Sequence, residues 1–280
     1  MLKAIKNDIV IYSAHTNLDN AQGGVNYKIA EKIGLKNLKV LEPKENSLIK
    51  LVTFVPNTKA DAVREALFAA GCGNIGNYDS CSYNLEGEGT FRAKEGTHPF
   101  CGAIGELHRE GEVRIETILP AFKKSAVVRA LLAVHPYEEP AFDIYPLQND
   151  WTQAGSGIIG ELDESETELE FLKRIKKTFE VGCLRHNRLT GREIRKVALC
   201  GGAGAFLLPQ AIRSGADVFI TGEIKYHDYF GHEGEILMTE IGHYESEQYT
   251  KEIFYSIIRD LFPNFTLQLS KINTNPIKYL

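Results

Sequence analysis

Cysteine is scarce in this sequence, and it lacks the spacing that a cysteine-based metal site needs. Five cysteines occur in 280 residues, an odd number, and no two of them form a CxxC pair. Disulfide frameworks use many cysteines in even numbers, and thiolate zinc sites use closely spaced pairs. We therefore expect reduced, free thiols rather than a disulfide framework or a zinc site built from cysteine pairs.

Long hydrophobic runs and clusters of positive charge are also absent. No apolar stretch approaches the roughly 18 residues of a membrane span, and the first residues lack the apolar core of a signal peptide. The formal net charge is −5, whereas binding to a phosphate backbone depends on clustered Lys and Arg. We expect a cytoplasmic protein that has no membrane partner and whose default partner is not a nucleic acid.

Alternating strand and helix patterns are what the chain does contain. With 43% hydrophobic and 25% charged residues, it has the composition of a soluble protein of one large or two medium domains. The alternation predicts an α/β fold with a mostly parallel core at 1–47 and 148–280. Residues 48–147 carry two β-α-β patterns of their own, which predicts an inserted ferredoxin-like α+β domain.

Three predicted strands are each followed by a histidine and a carboxylate four residues apart. Imidazole and carboxylate together suit divalent zinc, manganese, iron or cobalt, and several carboxylates favour two ions that share a bridging oxygen. Open α/β sheets place their sites at the carboxyl ends of strands. The repeated pattern therefore predicts a metal site. The pairs are His15 with Asp19, Glu223 with His227, and His243 with Glu247, after apolar runs at 8–14, 216–221 and 235–242.

Each pair also has a purely structural interpretation. Asp19 or Asn17 could cap a turn by accepting hydrogen bonds from backbone N–H groups. Glu247 could complement the dipole in the first turn of a helix. Glu223 and a partly buried His227 could belong to an ordinary helix start. Spacing alone leaves these alternatives open.

A glycine-rich segment, CGGAG at 200–204, lies between a predicted strand and a predicted helix. Its backbone N–H groups could bind a phosphate. It has neither the GxGxxG pattern nor the GK[ST] of a P-loop, so a tight β-to-α turn is the better interpretation. His135 in HPYEEP precedes a proline-bounded turn, where rim contacts or turn chemistry are favoured over an acidic site formed by Glu138 and Glu139.

Several longer motifs resemble one known family. They are HTNLD, SYNLEGEGTFRAKEGTHPFCGAIGE, RIETILP, HPYEEPAFDIYPL, CGGAGAFL, TGEIKYHD and GHYESE, with TNPIKYL at the end. Together they are similar to the NIF-three-like family of dinuclear-metal proteins, whose bacterial members are named GTP cyclohydrolase 1 type 2 homologues. The block from Ser82 to Leu147 resembles the subgroup with a PII-like inserted domain of ferredoxin type.

The resemblance implies a ligand set and an assembly. Two divalent ions per subunit, zinc, manganese or iron, would lie in a cavity between two α/β lobes, and the subunits would form a toroidal homohexamer. Asp19 matches a ligand of one ion, His243 a ligand of the other, and Glu247 the carboxylate that bridges both. Three further residues match the lining of this cavity, where they would support the ligands or face the substrate: His15, Glu223 and His227.

The chain departs from the family pattern in one respect. Family members carry, before the HTNLD motif, a further strand–helix unit with a His-His pair that gives one imidazole to each ion. Here only 14 residues precede His15, and no two histidines are adjacent. The resemblance therefore leads us to expect a shortened member whose metal site is incomplete.

Two functions of different classes agree with these residues. The first is a metal-dependent hydrolase acting on a nucleotide, of GTP cyclohydrolase or phosphoesterase type, in which His227 or Glu223 moves protons as general acid or base. The second is a non-catalytic metal-binding ring or scaffold whose insert senses a small ligand or binds a protein partner. The sequence shows no evident nucleophile or phosphate loop, which keeps the second class open.

Overall fold

The computed structural model describes residues 1–280, which form two compact units. The first consists of Met1–Lys44 with Thr152–Leu280, and the second of Glu45–Trp151. Each unit has its own sheet and its own hydrophobic core. The α/β class predicted from the alternating patterns is confirmed.

The chain forms ten strands and nine α-helices, and none of the helices has the length and apolar character needed to cross a membrane. The strands are β1 Lys36–Pro43, β2 Leu48–Pro56, β3 Ser82–Arg92, β4 Leu107–Pro120, β5 Phe142–Pro146, β6 Gly155–Thr167, β7 Arg185–His186, β8 Glu193–Cys200, β9 Val218–Thr221 and β10 Leu237–Glu240. The helices are α1 Leu2–Ile5, α2 Thr16–Asp19, α3 Val25–Ile33, α4 Ala60–Ala69, α5 Lys124–Val134, α6 Glu168–Thr178, α7 Leu208–Arg213, α8 His243–Glu247 and α9 Thr250–Leu261.

The first unit is built on a six-stranded sheet in the order β1-β6-β8-β9-β10-β7. Only β8, β9 and β10 run parallel to one another, and the other three neighbouring pairs are antiparallel. The sheet is thus mixed where mostly parallel strands were expected, and the unit holds one sheet where two lobes were expected. Hydrophobic periodicity predicts strands and helices, but it does not reveal the direction in which each strand enters the sheet.

Both faces of this sheet are covered. Successive side chains of a strand point to opposite faces. Val218 and Ile220 of β9 accordingly belong to one buried cluster, with α3 and α6, while Phe219 between them belongs to another, with α7. A sheet buried on both faces leaves its strand ends as the exposed places for polar side chains.

The amino-terminal apolar segment does not form the predicted strand. Residues 9–14 pair with no strand of the sheet, and Val10 is 91% exposed. Apolar residues alone do not make a strand, because its backbone N–H and C=O groups need a neighbouring strand as partner. The prediction of a strand at 9–14 is therefore wrong, although the turn that follows it is formed.

The second unit contains four antiparallel strands in the order β3-β4-β2-β5. The chain order β2-α4-β3-β4-α5-β5 is that of ferredoxin-like folds. Leu67 of α4 and Leu131 of α5 are fully buried against strand residues such as Leu51 and Ile115. Both helices therefore cover one face of the sheet.

His135, after α5, is buried in a geometry that fits only the neutral imidazole. Its Nε2 lies 3.0 Å from the Phe54 carbonyl oxygen, and its Nδ1 accepts a hydrogen bond of 3.1 Å from the Tyr137 backbone N–H. Protonation of Nδ1 would put two donors face to face. Burial lowers the pKa of His135, with opposing contributions from the Phe54 carbonyl and Glu112. The turn interpretation of this histidine is confirmed.

We expect this histidine to make the stability of the second unit depend on pH. Because the folded pKa lies below the unfolded one, the unfolded chain takes up the extra proton. The contribution of His135 to the stability of the unit is therefore fully present above about pH 6.5 and is lost as the pH drops below it. Urea unfolding at about pH 8 and about pH 5 should show a smaller pH effect in His135→Gln than in the unmodified chain. His98→Ala, at an exposed histidine of the same unit, is the control. An unchanged pH effect in His135→Gln would contradict this account.

Candidate metal centre

Asp19 ends α2 and is positioned through a buried asparagine. Asn26, 2% exposed, donates from Nδ2 to the Asp19 carbonyl oxygen over 2.9 Å. Its Oδ1 accepts a hydrogen bond of 2.8 Å from the Gly201 backbone N–H. Asn26 thus joins the turn that carries Asp19 to the glycine-rich segment after β8. The sequence does not indicate this role, since one polar position on a helix gives no distinctive pattern.

The turn before Asp19 shows which residue acts as the cap. The backbone N–H of His15 donates to Asn17 Oδ1 over 2.9 Å. Asn17 therefore accepts the side-chain hydrogen bond in this turn, and the Asp19 carboxylate does not cap α2.

His243 and Glu247 lie one helical turn apart on α8, directly after β10. His243 Nδ1 is 2.6 Å from Glu223 Oε1, and its Nε2 is 3.5 Å from Glu247 Oε2. Glu223 follows β9, which runs parallel to β10, so the carboxyl ends of two adjacent strands bring the three side chains together. A carboxylate on Nδ1 favours the tautomer with a proton there, which leaves Nε2 free to bind a cation.

The glycine-rich segment packs directly on these side chains. The N–H groups of Gly202 and Gly204 donate to Ser246 Oγ and Thr221 Oγ1, each over 2.9 Å. A Cβ on Gly202 would lie 2.5 Å from Glu247 Oε1. The N–H groups of Gly201, Gly202 and Gly204 are therefore engaged within the protein, and the segment is the tight β-to-α turn favoured by its sequence.

The electrostatics of the centre favour a cation. Burial raises the pKa of Asp19, and the His15 and His243 imidazoles lower it. Burial also raises the pKa of Glu247, where His243 acts in the opposite direction and Asp19 adds a like charge. No Lys or Arg is among the groups that act on either carboxyl. A divalent ion would supply the positive charge that these carboxylates lack.

The two remaining predicted residues are placed differently. His15 is exposed, with its Nδ1 3.1 Å from Thr16 Oγ1, and its charge acts on Asp19 and Glu247. His227 lies on the short 3-10 turn Tyr226–Tyr229, where its ring contacts Tyr226 at a centroid distance of 5.3 Å. It forms no ion pair with the carboxylates of the centre. The structure therefore groups His15 with the centre but does not join His227 to it.

Known proteins resemble the chain over nearly its whole length. The sequence profile of Duf34/NIF3 (NGG1p interacting factor 3) matches residues 1–276. The chain is 44% identical over 285 residues to the GTP cyclohydrolase 1 type 2 homolog of Halalkalibacterium halodurans, covering 99% of this chain and 76% of that protein. It is 38% identical over 286 residues to the protein of the same name from Bacillus subtilis, with the same coverage. A solved structure, the Bacillus cereus protein related to NIF3, superposes with a TM-score of 0.81 at 40% identity and covers 100% of this chain and 76% of that one. The chain belongs to the Duf34/NIF3 family.

Proposed function

We propose that Asp19, His243 and Glu247 bind two divalent ions, with Glu247 between them, and that the protein is a metal-dependent hydrolase acting on a nucleotide. The donor set of imidazole and carboxylates suits zinc, manganese or iron. Relatives at 38% and 44% identity carry the name GTP cyclohydrolase 1 type 2 homolog, which favours a purine nucleotide as substrate.

One observation carries this proposal. The His243 ring is held on its Nδ1 by Glu223 at 2.6 Å, while its Nε2 is directed at Glu247. Metal-binding histidines typically donate their other ring N–H to a carboxylate, which fixes the ring and raises its basicity. Glu223 thus acts first by orienting His243, and its second oxygen can still accept a proton from a bound substrate.

In this proposal, some side chains of the centre bind the ions and others transfer protons. Bound divalent ions would supply Lewis acidity at the reacting oxygen atoms. Asp19 and Glu247 hold negative charge in a partly buried place, and Glu223 orients His243. Glu223 is the proposed general acid or base, and His15, whose charge acts on Asp19 and Glu247, is a further group that can exchange protons with a substrate. His227 keeps this role only if substrate binding brings it closer.

A second function is supported by a cavity in the second unit. Its volume is about 580 Å³, the size of a small-molecule site. Glu112 and Tyr137, joined by a hydrogen bond of 2.7 Å, lie among its polar lining residues. A PII-like unit that senses a small ligand, on a non-catalytic cytoplasmic homohexameric ring, would use this cavity.

Turnover of GTP separates the two functions. The metal-stripped protein, reloaded with zinc or with manganese, should consume GTP or a model phosphodiester only when metal is present. His243→Ala should abolish this turnover, while His232→Ala, at a histidine outside the centre, should retain it. Saturable binding of nucleotide without any turnover, in every metal form, would favour the sensor and contradict the hydrolase.

A further inference from the structure

A second group of metal-ligating side chains lies in the second unit. Cys101, His108 and Glu110 each offer one ligand atom, and these atoms all lie within 4.8 Å of one another. His108 Nε2 is 2.8 Å from Glu110 Oε2. All three side chains are partly buried, as ligands of a bound ion usually are.

The fold builds this arrangement from a strand and a tight loop. His108 and Glu110 are two residues apart on β4, so their side chains share one face of the sheet. The Phe91 ring, on the paired residue of β3, contacts the His108 ring at a centroid distance of 5.3 Å. This contact holds the imidazole on one side.

The loop brings the thiol to the strand. Gly102 has φ of +80°, and a Cβ at this position would lie 2.8 Å from His108 Cγ. The backbone next to Cys101 therefore rests directly on the imidazole, at a distance that only glycine permits. The backbone that carries the thiol is therefore held beside His108 by packing of the loop against the imidazole.

We propose that Cys101, His108 and Glu110 form a divalent metal site in the second unit, with zinc as the preferred ion. Thiolate, imidazole and carboxylate are the three donor types that protein zinc sites use. The thiolate disfavours magnesium and calcium, which prefer oxygen ligands alone. An ordinary His–Glu ion pair would need no thiol within reach of both partners.

The site adjoins the cavity of the same unit. The Tyr137 hydroxyl lies 4.0 Å from Cys101 Sγ, and Tyr137 is also a lining residue of the cavity. Three protein ligands leave one position of a tetrahedral ion for water or for a small ligand. A ligand in the cavity could therefore complete the coordination of the ion.

Cobalt is a suitable probe, because cobalt bound to a thiolate absorbs in the near ultraviolet whereas cobalt bound only to nitrogen and oxygen does not. Titration of the metal-stripped full-length protein with cobalt should produce this band, and zinc should displace it. Cys101→Ser should abolish the band. Cys183→Ser, at an exposed cysteine of the first unit, should leave it unchanged.

One other thiol must be distinguished. Cys200 lies close enough to Asp19 and Glu247 for their charges to act on it. The band should therefore persist in Cys200→Ser. A band that is lost in Cys200→Ser and kept in Cys101→Ser would overturn the proposal, as would the absence of any band.

A second variant tests the site independently, in case Cys101→Ser loses the band because it misfolds. His108→Asn should weaken cobalt binding at least about tenfold, since even the loss of a residue that supports a ligand costs about 10- to 100-fold. Circular dichroism should show that it remains folded. Undiminished cobalt affinity in His108→Asn would also overturn the proposal.

Discussion

Glu247→Gln is expected to weaken the binding of zinc or manganese to the first unit by more than about 100-fold. Loss of a residue that only supports a ligand already lowers metal affinity by about 10- to 100-fold, and loss of a ligand should lower it further. Glu247 lies within 3.5 Å of His243 Nε2, and the charge of Asp19 acts on it. In the proposed centre, Glu247 is the carboxylate between the two ions. A neutral amide of the same shape removes that shared charge. Calorimetric titration of the metal-stripped protein measures the change.

The same substitution should not destabilise the metal-free protein. Burial raises the pKa of Glu247, which means that the fold disfavours its charged form. Thermal unfolding of Glu247→Gln without metal should therefore match or exceed that of the unmodified chain. Glu233→Gln, at an exposed carboxylate outside the centre, is the control for both measurements. Unchanged metal affinity in Glu247→Gln would show that other residues, such as His15, hold the ions.

The residues of the centre that could be predicted from the sequence are those that directly follow predicted strands. Two predicted strands, now β9 and β10, are parallel neighbours, so the side chains that follow them had to meet. Glu223 and His243 do meet, at 2.6 Å. His227 was paired with Glu223 by its spacing of four residues, which assumes an α-helix. The chain forms a short 3-10 turn there, and the histidine does not join the centre.

The parts that the sequence did not predict depend on partners far along the chain. Whether the apolar segment 9–14 becomes a strand depends on a neighbouring strand, which local composition does not reveal. Asn26 owes its role to Gly201, which is 175 residues away. The glycine positions of β3 resemble those of a loop in the sequence, whereas in the structure Gly89 lets the Glu112 carboxylate lie across the strand. Long-range contacts of this kind leave no periodic signal.

Gly202→Ala is expected to weaken metal binding although it removes no ligand. Gly202 has φ of +64°, and a Cβ there would lie 2.5 Å from Glu247 Oε1 and 3.3 Å from His243 Nε2. The nearer obstacle is the tip of a flexible side chain, so the Glu247 carboxylate can move aside. The fold then loses only the cost of placing alanine in the left-handed region, about 1–2 kcal/mol. The displaced carboxylate should lower metal affinity at least about tenfold, because changes to residues that support a ligand lower it by at least that much.

Gly215→Ala is the matched control for this prediction. Gly215 has φ of +68° in the same unit, and a Cβ there would meet nothing within 4 Å. Alanine at 215 carries the same backbone strain, so the two variants should have similar urea midpoints. Only Gly202→Ala should show weakened binding of zinc or manganese by calorimetry. Equal metal affinity in both variants would mean that the glycine-rich turn does not position Glu247, and that the close approach of Gly202 serves packing alone.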